Sequence, residues 1–182
     1  RGLGDVYKRQ VEVGRYRLIY AGAQKNMAPA GLTVAIIERA ALGHERPDTP
    51  QVLNYRLMSA KDSMLNTPPC WCIYMLGLVL EWVEAEGGIK VMDERRRERS
   101  RLIYDVLDNS KLYKPHAAAD SRSCMNVTFR TDSDELDEGF CRGAARRGLL
   151  NVRGHRLTGG MRVSLYNAMP LEGAQAIAQY MK

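Results

Sequence analysis

The residues of this 182-residue chain that could do chemistry are one lysine, an asparagine–threonine pair, and a histidine with two arginines. Lys25 stands in "AGAQKN", residues 21 to 26, directly after the apolar Leu18-Ile19-Tyr20. A lysine at the end of a strand is ordinarily a solvated charge, and nothing in this stretch alone excludes that. The small residues Ala21, Gly22 and Ala23 admit a second reading, because they leave room for a flat cofactor. A lysine that attacks an aldehyde must be neutral, and partial desolvation favours the neutral amine. Lys25 would then hold a planar aldehyde cofactor as a Schiff base.

"NTPP", Asn66 to Pro69, precedes an apolar run that starts at Cys70. Thr67 reads as a helix N-cap and Pro68 as the first helical position. Capping accounts for these residues. A helix start also attracts anions through its free N–H groups, and the side chains of Asn66 and Thr67 add donors suited to a phosphate. In "GHRLTGGMR", residues 154 to 162, His155, Arg156 and Arg162 crowd among three glycines. Arginine takes carboxylate or phosphate through two parallel hydrogen bonds. Glycine lets the backbone turn tightly beside a ligand. The stretch points to a small anion. "RRRERSR", residues 95 to 101, resembles a nucleic-acid patch in composition. However, Glu94 and Glu98 alternate with the arginines at helical spacing, and no aromatic is interleaved for base stacking. A solvated helix face is the expectation.

Bulk properties narrow the partners. Hydrophobic residues make up 45% of the chain, enough for a packed core. No apolar run reaches the roughly 18 residues of a membrane span. The longest, Cys70 to Leu80, stops at Glu81. Cys70 and Cys72 point apart on a helix and have no histidine nearby to complete a zinc set, so no metal is expected. With Cys124 and Cys141 they read as buried thiols of a reduced, cytoplasmic compartment. The net charge of +6 suits nucleic acid or an enzyme for anionic substrates. The opening "RGLGDVYKRQ" fits nothing that follows, and its "DVYKRQ" resembles a translated sequencing-library adapter. Residues 1–10 are therefore expected to be a non-native tail. They carry Arg1, Lys8 and Arg9 against Asp5, which leaves +4 for the rest and weakens the case for nucleic acid.

The elements that must position these groups follow from pattern. Val11 to Tyr20 reads as a loop feeding a strand, and Leu32 to Ile37 as a buried strand, with Pro29 and Gly31 turning between them. Residues 43–50 are a loop. A helix runs from the Thr67 cap to Val83 and ends at Gly87-Gly88. A second long helix spans Ile89 to Leu107. "CMNVTFR" alternates as a half-buried strand. A helix follows from Asp132 or Ser133 to Gly148. Leu149 to Val152 reads as a short strand, and "MRVSLYNAM" as another. Pro170 opens a last helix with Glu172 in its first turn, where the helix dipole favours a negative charge. The chain thus reads as α/β in two parts, joined by the long helix.

Taken together, "IYAGAQKNMAPAGLTVAII", "DSMLNTPP" and "GHRLTGGMRVSLYNAMPLEG" closely resemble the phosphoserine aminotransferase family, in the right order from Val11 to Lys182. These are fold-type I pyridoxal-phosphate enzymes related to the class V aminotransferases. The resemblance implies the C-terminal half of such an enzyme. Residues 11–92 would be a remnant of the large pyridoxal-phosphate-binding domain, a mixed sheet with helices. Residues 93–109 would be the linking helix, and 110–182 the small C-terminal α/β domain. It implies the cofactor pyridoxal 5'-phosphate and transamination between glutamate and 3-phosphohydroxypyruvate, giving phosphoserine and 2-oxoglutarate in serine biosynthesis. In many bacteria a related reaction serves pyridoxine (vitamin B6) biosynthesis. It also implies a cytoplasmic homodimer with active sites at the subunit interface, acting on small molecules and not on nucleic acid or membrane.

Residue roles follow the motif match. Lys25 matches the Schiff-base lysine that later moves the substrate proton, and Gln24 a ligand of the cofactor phosphate. Asn66 and Thr67 match residues that reach the cofactor phosphate of the partner subunit. Arg162 matches the arginine that clamps the substrate α-carboxylate. His155 and Arg156 match the pair that receives the substrate phosphate or the distal carboxylate of glutamate. The family has about twice this length, and its pyridine-binding aspartate and ring-stacking aromatic belong to the half not present. This chain alone is therefore expected to be inactive. Two other readings remain: a class V aminotransferase for a non-phosphorylated keto acid, which the His155-Arg156 pair disfavours, and a basic nucleic-acid-binding module.

Overall fold

A computed structural model describes residues 11–182, so the reading of 1–10 as an added tail lies outside the described residues. The chain divides between Ala85 and Glu86 into two compact units.

In the first unit, β1 (Leu18–Gly22) pairs antiparallel with β2 (Thr33–Ile37), from Leu18 opposite Ile37 to Gly22 opposite Thr33. The expectation of a buried second strand fails: Thr33, Ala35 and Ile36 are exposed. β-branched apolar residues favour the extended backbone, but burial depends on what packs over the strand. A short helix the pattern did not mark, α1 (Tyr55–Ala60), is capped by Asn54, whose Oδ1 accepts Leu57 N–H at 3.0 Å. Helix α2 (Cys70–Ala85) starts later than expected. Thr67 is not its cap, and Pro68 is not its first residue. Pro69 disfavours helical backbone at Pro68, so the first i→i−4 bond runs from Ile73 N–H to Pro69 O, at 3.1 Å. The expectation of buried thiols also fails at Cys70, which is exposed, while Cys72 is buried.

The second unit holds α3 (Gly88–Asn109), β3 (Lys114–Pro115), β4 (Asn126–Arg130), α4 (Asp134–Ala145), β5 (Met161–Ser164) and α5 (Leu171–Met181). Gly87 and Gly88 take left-handed φ of 101° and 77°, a conformation that glycine adopts without steric cost. The three strands form an antiparallel sheet in the order β3-β4-β5. Its inner face, with Val127, Phe129, Met161 and Val163, packs on Ile103 and Leu107 of α3 and on Ala174 and Ile177 of α5. Tyr113, Phe129 and Phe140 meet edge to face, with centroids 5.5–5.7 Å apart. Ser133 caps α4 by accepting Leu136 N–H. Leu149 to Val152 is not a strand, because Asn151 takes φ 59° and breaks the extended run.

The charged middle of α3 also departs from expectation. Arg96 and Arg99 are 2% and 3% exposed, not solvated. Met92, Arg96, Arg99, Ile103 and Leu107 recur at three- and four-residue steps, so the two arginines continue the stripe that faces the core. Arg96 pairs with Asp93 and Arg97 also bonds Asp93, while Arg95 reaches Glu86 at 2.6 Å. Hydrogen bonds from Arg97 and Arg96 outweigh the effect of burial and hold the Asp93 carboxyl below its usual range. Arg99 Nη1 donates to the carbonyls of Asn167 (3.2 Å) and Met169. Burial, with Arg95 nearby, lowers the Arg99 guanidinium from its ordinary value.

Candidate functional site

Ala23 organises the loop between β1 and β2. Its N–H donates to Leu32 O (2.9 Å), and its carbonyl accepts Met27 N–H (3.2 Å) and Ala28 N–H (2.8 Å). Lys25 N–H donates to Ala28 O (3.0 Å), and Asn26 N–H to Gln24 O (3.2 Å). In the resulting turn Lys25 takes φ 80°, a left-handed value uncommon for a residue with a side chain. Such strain persists where surrounding bonds over-determine the backbone, and it clusters at functional sites. Ala21, Ala23, Ala28 and Asn26 are buried beneath the turn, while Gln24 and Lys25 are exposed. The alanines are small because the chain closes over them.

The start of α2 is tied to the far end of this loop. Cys72 Sγ donates to Ala30 O at 3.4 Å, and a Cβ on Gly31 would meet the same sulfur at 3.7 Å. Asn66 and Thr67 are exposed just before that turn. Pro68 and Pro69 bring no N–H, and Cys70 N–H is spent on Pro68 O at 2.9 Å. What this helix start offers an anion is therefore the Trp71 and Cys72 N–H groups of its first turn, with the Asn66 and Thr67 side chains just before it.

In the second unit, the loop from Gly154 closes on itself. Gly154 N–H donates to Gly160 O (2.8 Å), and His155 O accepts Thr158 N–H (3.0 Å) and Gly159 N–H (2.8 Å). A Cβ on Gly154 would overlap Gly159 O, and one on Gly160 would lie 2.6 Å from Phe129 O. Only glycine fits either position. His155 and Arg156 ride exposed on this loop. Leu157 N–H donates to His155 Nδ1 at 3.2 Å, so the neutral ring presents Nε2–H as a donor. Arg162 follows on β5, opposite Thr128 of β4, with its N–H on Val152 O at 2.7 Å. Its Nε is buried and has no hydrogen-bond partner among the described residues, which is costly unless an acceptor arrives.

Thus Lys25, Gln24, Asn66 and Thr67 belong to the first unit, and His155, Arg156 and Arg162 to the second. Sequence reasoning missed the neighbours of Arg162. The two-residue period that buries Met161, Val163 and Leu165 puts Arg162, Ser164 and Tyr166 on the other face, with Asn126 and Thr128 alongside. The alternation in "MRVSLYNAM" carried that signal.

Comparison with known proteins is consistent across sequence and structure. The family model described as aminotransferase class-V matches residues 4–177, a span that begins inside the stretch read above as a tail. A phosphoserine aminotransferase of Aromatoleum aromaticum is 48% identical over 177 residues, which is 97% of this chain and 48% of that protein. A structure of radiation damage of the Schiff base in phosphoserine aminotransferase superposes with TM-score 0.92 at 39% identity, over 98% of this chain and 50% of that one. A PLP-bound phosphoserine aminotransferase from Trichomonas vaginalis gives TM-score 0.88 at 31% identity, over 94% and 49%. The chain spans about half the length of the curated relatives it matches.

Proposed function

The chain belongs to the class-V aminotransferase family, and from that premise we propose that it is the C-terminal half of a phosphoserine aminotransferase. The reaction is transfer of the amino group of glutamate to 3-phosphohydroxypyruvate in serine biosynthesis, in a cytoplasmic homodimer. A related role in pyridoxine biosynthesis goes with it. The observation that carries the reading is the whole-chain superposition on a phosphoserine aminotransferase, TM-score 0.92 at 39% identity.

The donor set fits pyridoxal 5'-phosphate. It offers an exposed primary amine, Lys25, for an aldehyde and the Gln24 amide for the same cofactor's phosphate, while the exposed Asn66 amide and Thr67 hydroxyl would reach the phosphate of the cofactor in the partner subunit. Bound there, the cofactor supplies the electron sink that lets a substrate Cα–H be lost. The chain's own part is positioning and proton movement. Lys25 Nζ would hold the cofactor through its aldehyde, and the same amine would carry the proton to and from the substrate Cα. The left-handed backbone of Lys25 is held in a hydrogen-bonded turn. Arg162, with an unpartnered Nε, takes the α-carboxylate. His155 Nε2–H and Arg156 receive the second anionic group, a phosphate or the distal carboxylate. The nucleic-acid reading loses its footing, because Arg96 and Arg99 of the basic run lie in the interior.

The test uses the enzyme expressed from the complete reading frame, assayed with pyridoxal 5'-phosphate, glutamate and 3-phosphohydroxypyruvate. Turnover is expected, with Lys25→Ala abolishing it together with the protein-bound visible absorbance of the cofactor. Equal turnover with a non-phosphorylated keto acid would overturn the substrate assignment. Residues 1–182 alone are expected to show no turnover.

A further inference from the structure

The sheet of the second unit has one apolar face and one polar face. The polar face carries two adjacent rungs, Thr128 opposite Arg162 and Asn126 opposite Ser164. All four residues are partly buried, so this face is sheltered as well as polar. Its other arginine, Arg130, is paired with Asp134 at 3.5 Å. Arg162 has no such acid among the described residues, and its Nε is buried without an acceptor. Ser164 Oγ and Tyr166 OH both donate to Asn126 Oδ1, at 3.1 and 3.3 Å. Those two bonds fix the orientation of the carboxamide and leave Nδ2 with its two protons as a donor. Side chains directly opposite on one face stand about 5 Å apart at Cβ. One small anion can therefore touch the Arg162 guanidinium and the Thr128 hydroxyl together, with Asn126 Nδ2 one rung away.

We propose that Thr128 and Asn126 are further substrate-binding residues that complete the Arg162 site for a substrate carboxylate from the neighbouring strand. The proposal rests on the reading of Arg162 as the carboxylate-binding arginine. Arg162 supplies the charge, and the two neutral groups supply directed donors. A carboxylate has about four lone-pair sites, more than one guanidinium fork fills. Neutral donors add hydrogen bonds without competing for the cation, as an acidic residue would.

The experiment measures KM and kcat for the amino-acid substrate in the full-length enzyme, with melting temperature and cofactor absorbance as fold controls. Thr128→Val is expected to raise KM about tenfold, the usual loss for a hydrogen bond to a charged group, with kcat little changed. Thr128→Ser, which keeps the hydroxyl, should restore KM. Asn126→Asp places a competing carboxylate one rung from Arg162 and should raise KM further. Unchanged KM in Thr128→Val and Asn126→Asp, while Arg162→Lys raises it, would overturn the proposal. So would KM changes that appear only together with a lowered melting temperature and lost cofactor absorbance. If Arg162→Lys itself leaves KM unchanged, the underlying reading of Arg162 fails, and the proposal with it.

Discussion

Lys25 pays for its position in backbone strain, since φ 80° is a conformation only glycine adopts freely. Two substitutions that both remove the amine should therefore differ in stability. Lys25→Gly is expected to melt higher than Lys25→Ala by the equivalent of about 1 kcal/mol, measured by thermal unfolding of the full-length protein. Equal melting temperatures would mean the turn carries no strain there. At this scale the residue types that could do chemistry were legible, because Lys25, His155, Arg156 and Arg162 stand in small or glycine-rich surroundings. The reason for those surroundings was only half legible. Ala21 and Ala23 are small because the turn buries them, and the left-handed angle at Lys25 leaves no mark on composition.

Helix α3 shows why an element's charge pattern can mislead. Arg96 and Arg97 are adjacent and both bond Asp93, yet one is inside and the other 63% exposed along its side chain. Arg96→Ala is expected to cost about 3 kcal/mol, as breaking a buried pair does. Arg97→Ala should cost far less, because its pair with Asp93 lies in solvent on the Arg97 side. Denaturant titration of the two variants separates them. Acid should act through the same element. The folded Asp93 carboxyl lies below its ordinary 3.8, and Asp108, hydrogen-bonded by Arg122, lies below it too. A depressed carboxylate contributes stability above its unfolded value and loses it as pH falls through the folded one. Stability is thus expected to hold down to about pH 4 and fall below it, and Asp93→Asn should flatten that loss. The start and end of α4 were legible, because Ser133 and Gly148 are strong local signals. The start of α2 and the absent strand at 149–152 were not, because Pro69 and Asn151 act through backbone angles.

At the scale of the molecule the two units differ in what they bury. The second has one continuous core that draws on α3, α4, α5 and all its longer strands. The buried apolar side chains of the first, among the described residues, are Ala21, Ala23, Ala28 and Cys72. Its Tyr20, Trp71 and Tyr74 are each more than 60% exposed. Residues 86–182 expressed alone are expected to unfold in one cooperative thermal transition. Residues 11–85 alone should show none, and should bind a hydrophobic dye. The whole 182-residue chain is expected to self-associate through the exposed apolar surface, which size exclusion would detect. A monodisperse monomer would contradict that.

The sequence by itself determined the family, the α/β class, the candidate residues and most helix ends, because motifs and caps are local and survive without their surroundings. Tertiary structure decided what burial and backbone angle control. It put two arginines of a basic run inside, left a β-branched strand exposed and started α2 beyond its expected cap. It also set Thr128 and Asn126 beside Arg162. That last pairing is long-range: residues more than thirty positions apart meet only because β4 and β5 share a register, which no single stretch of sequence carries.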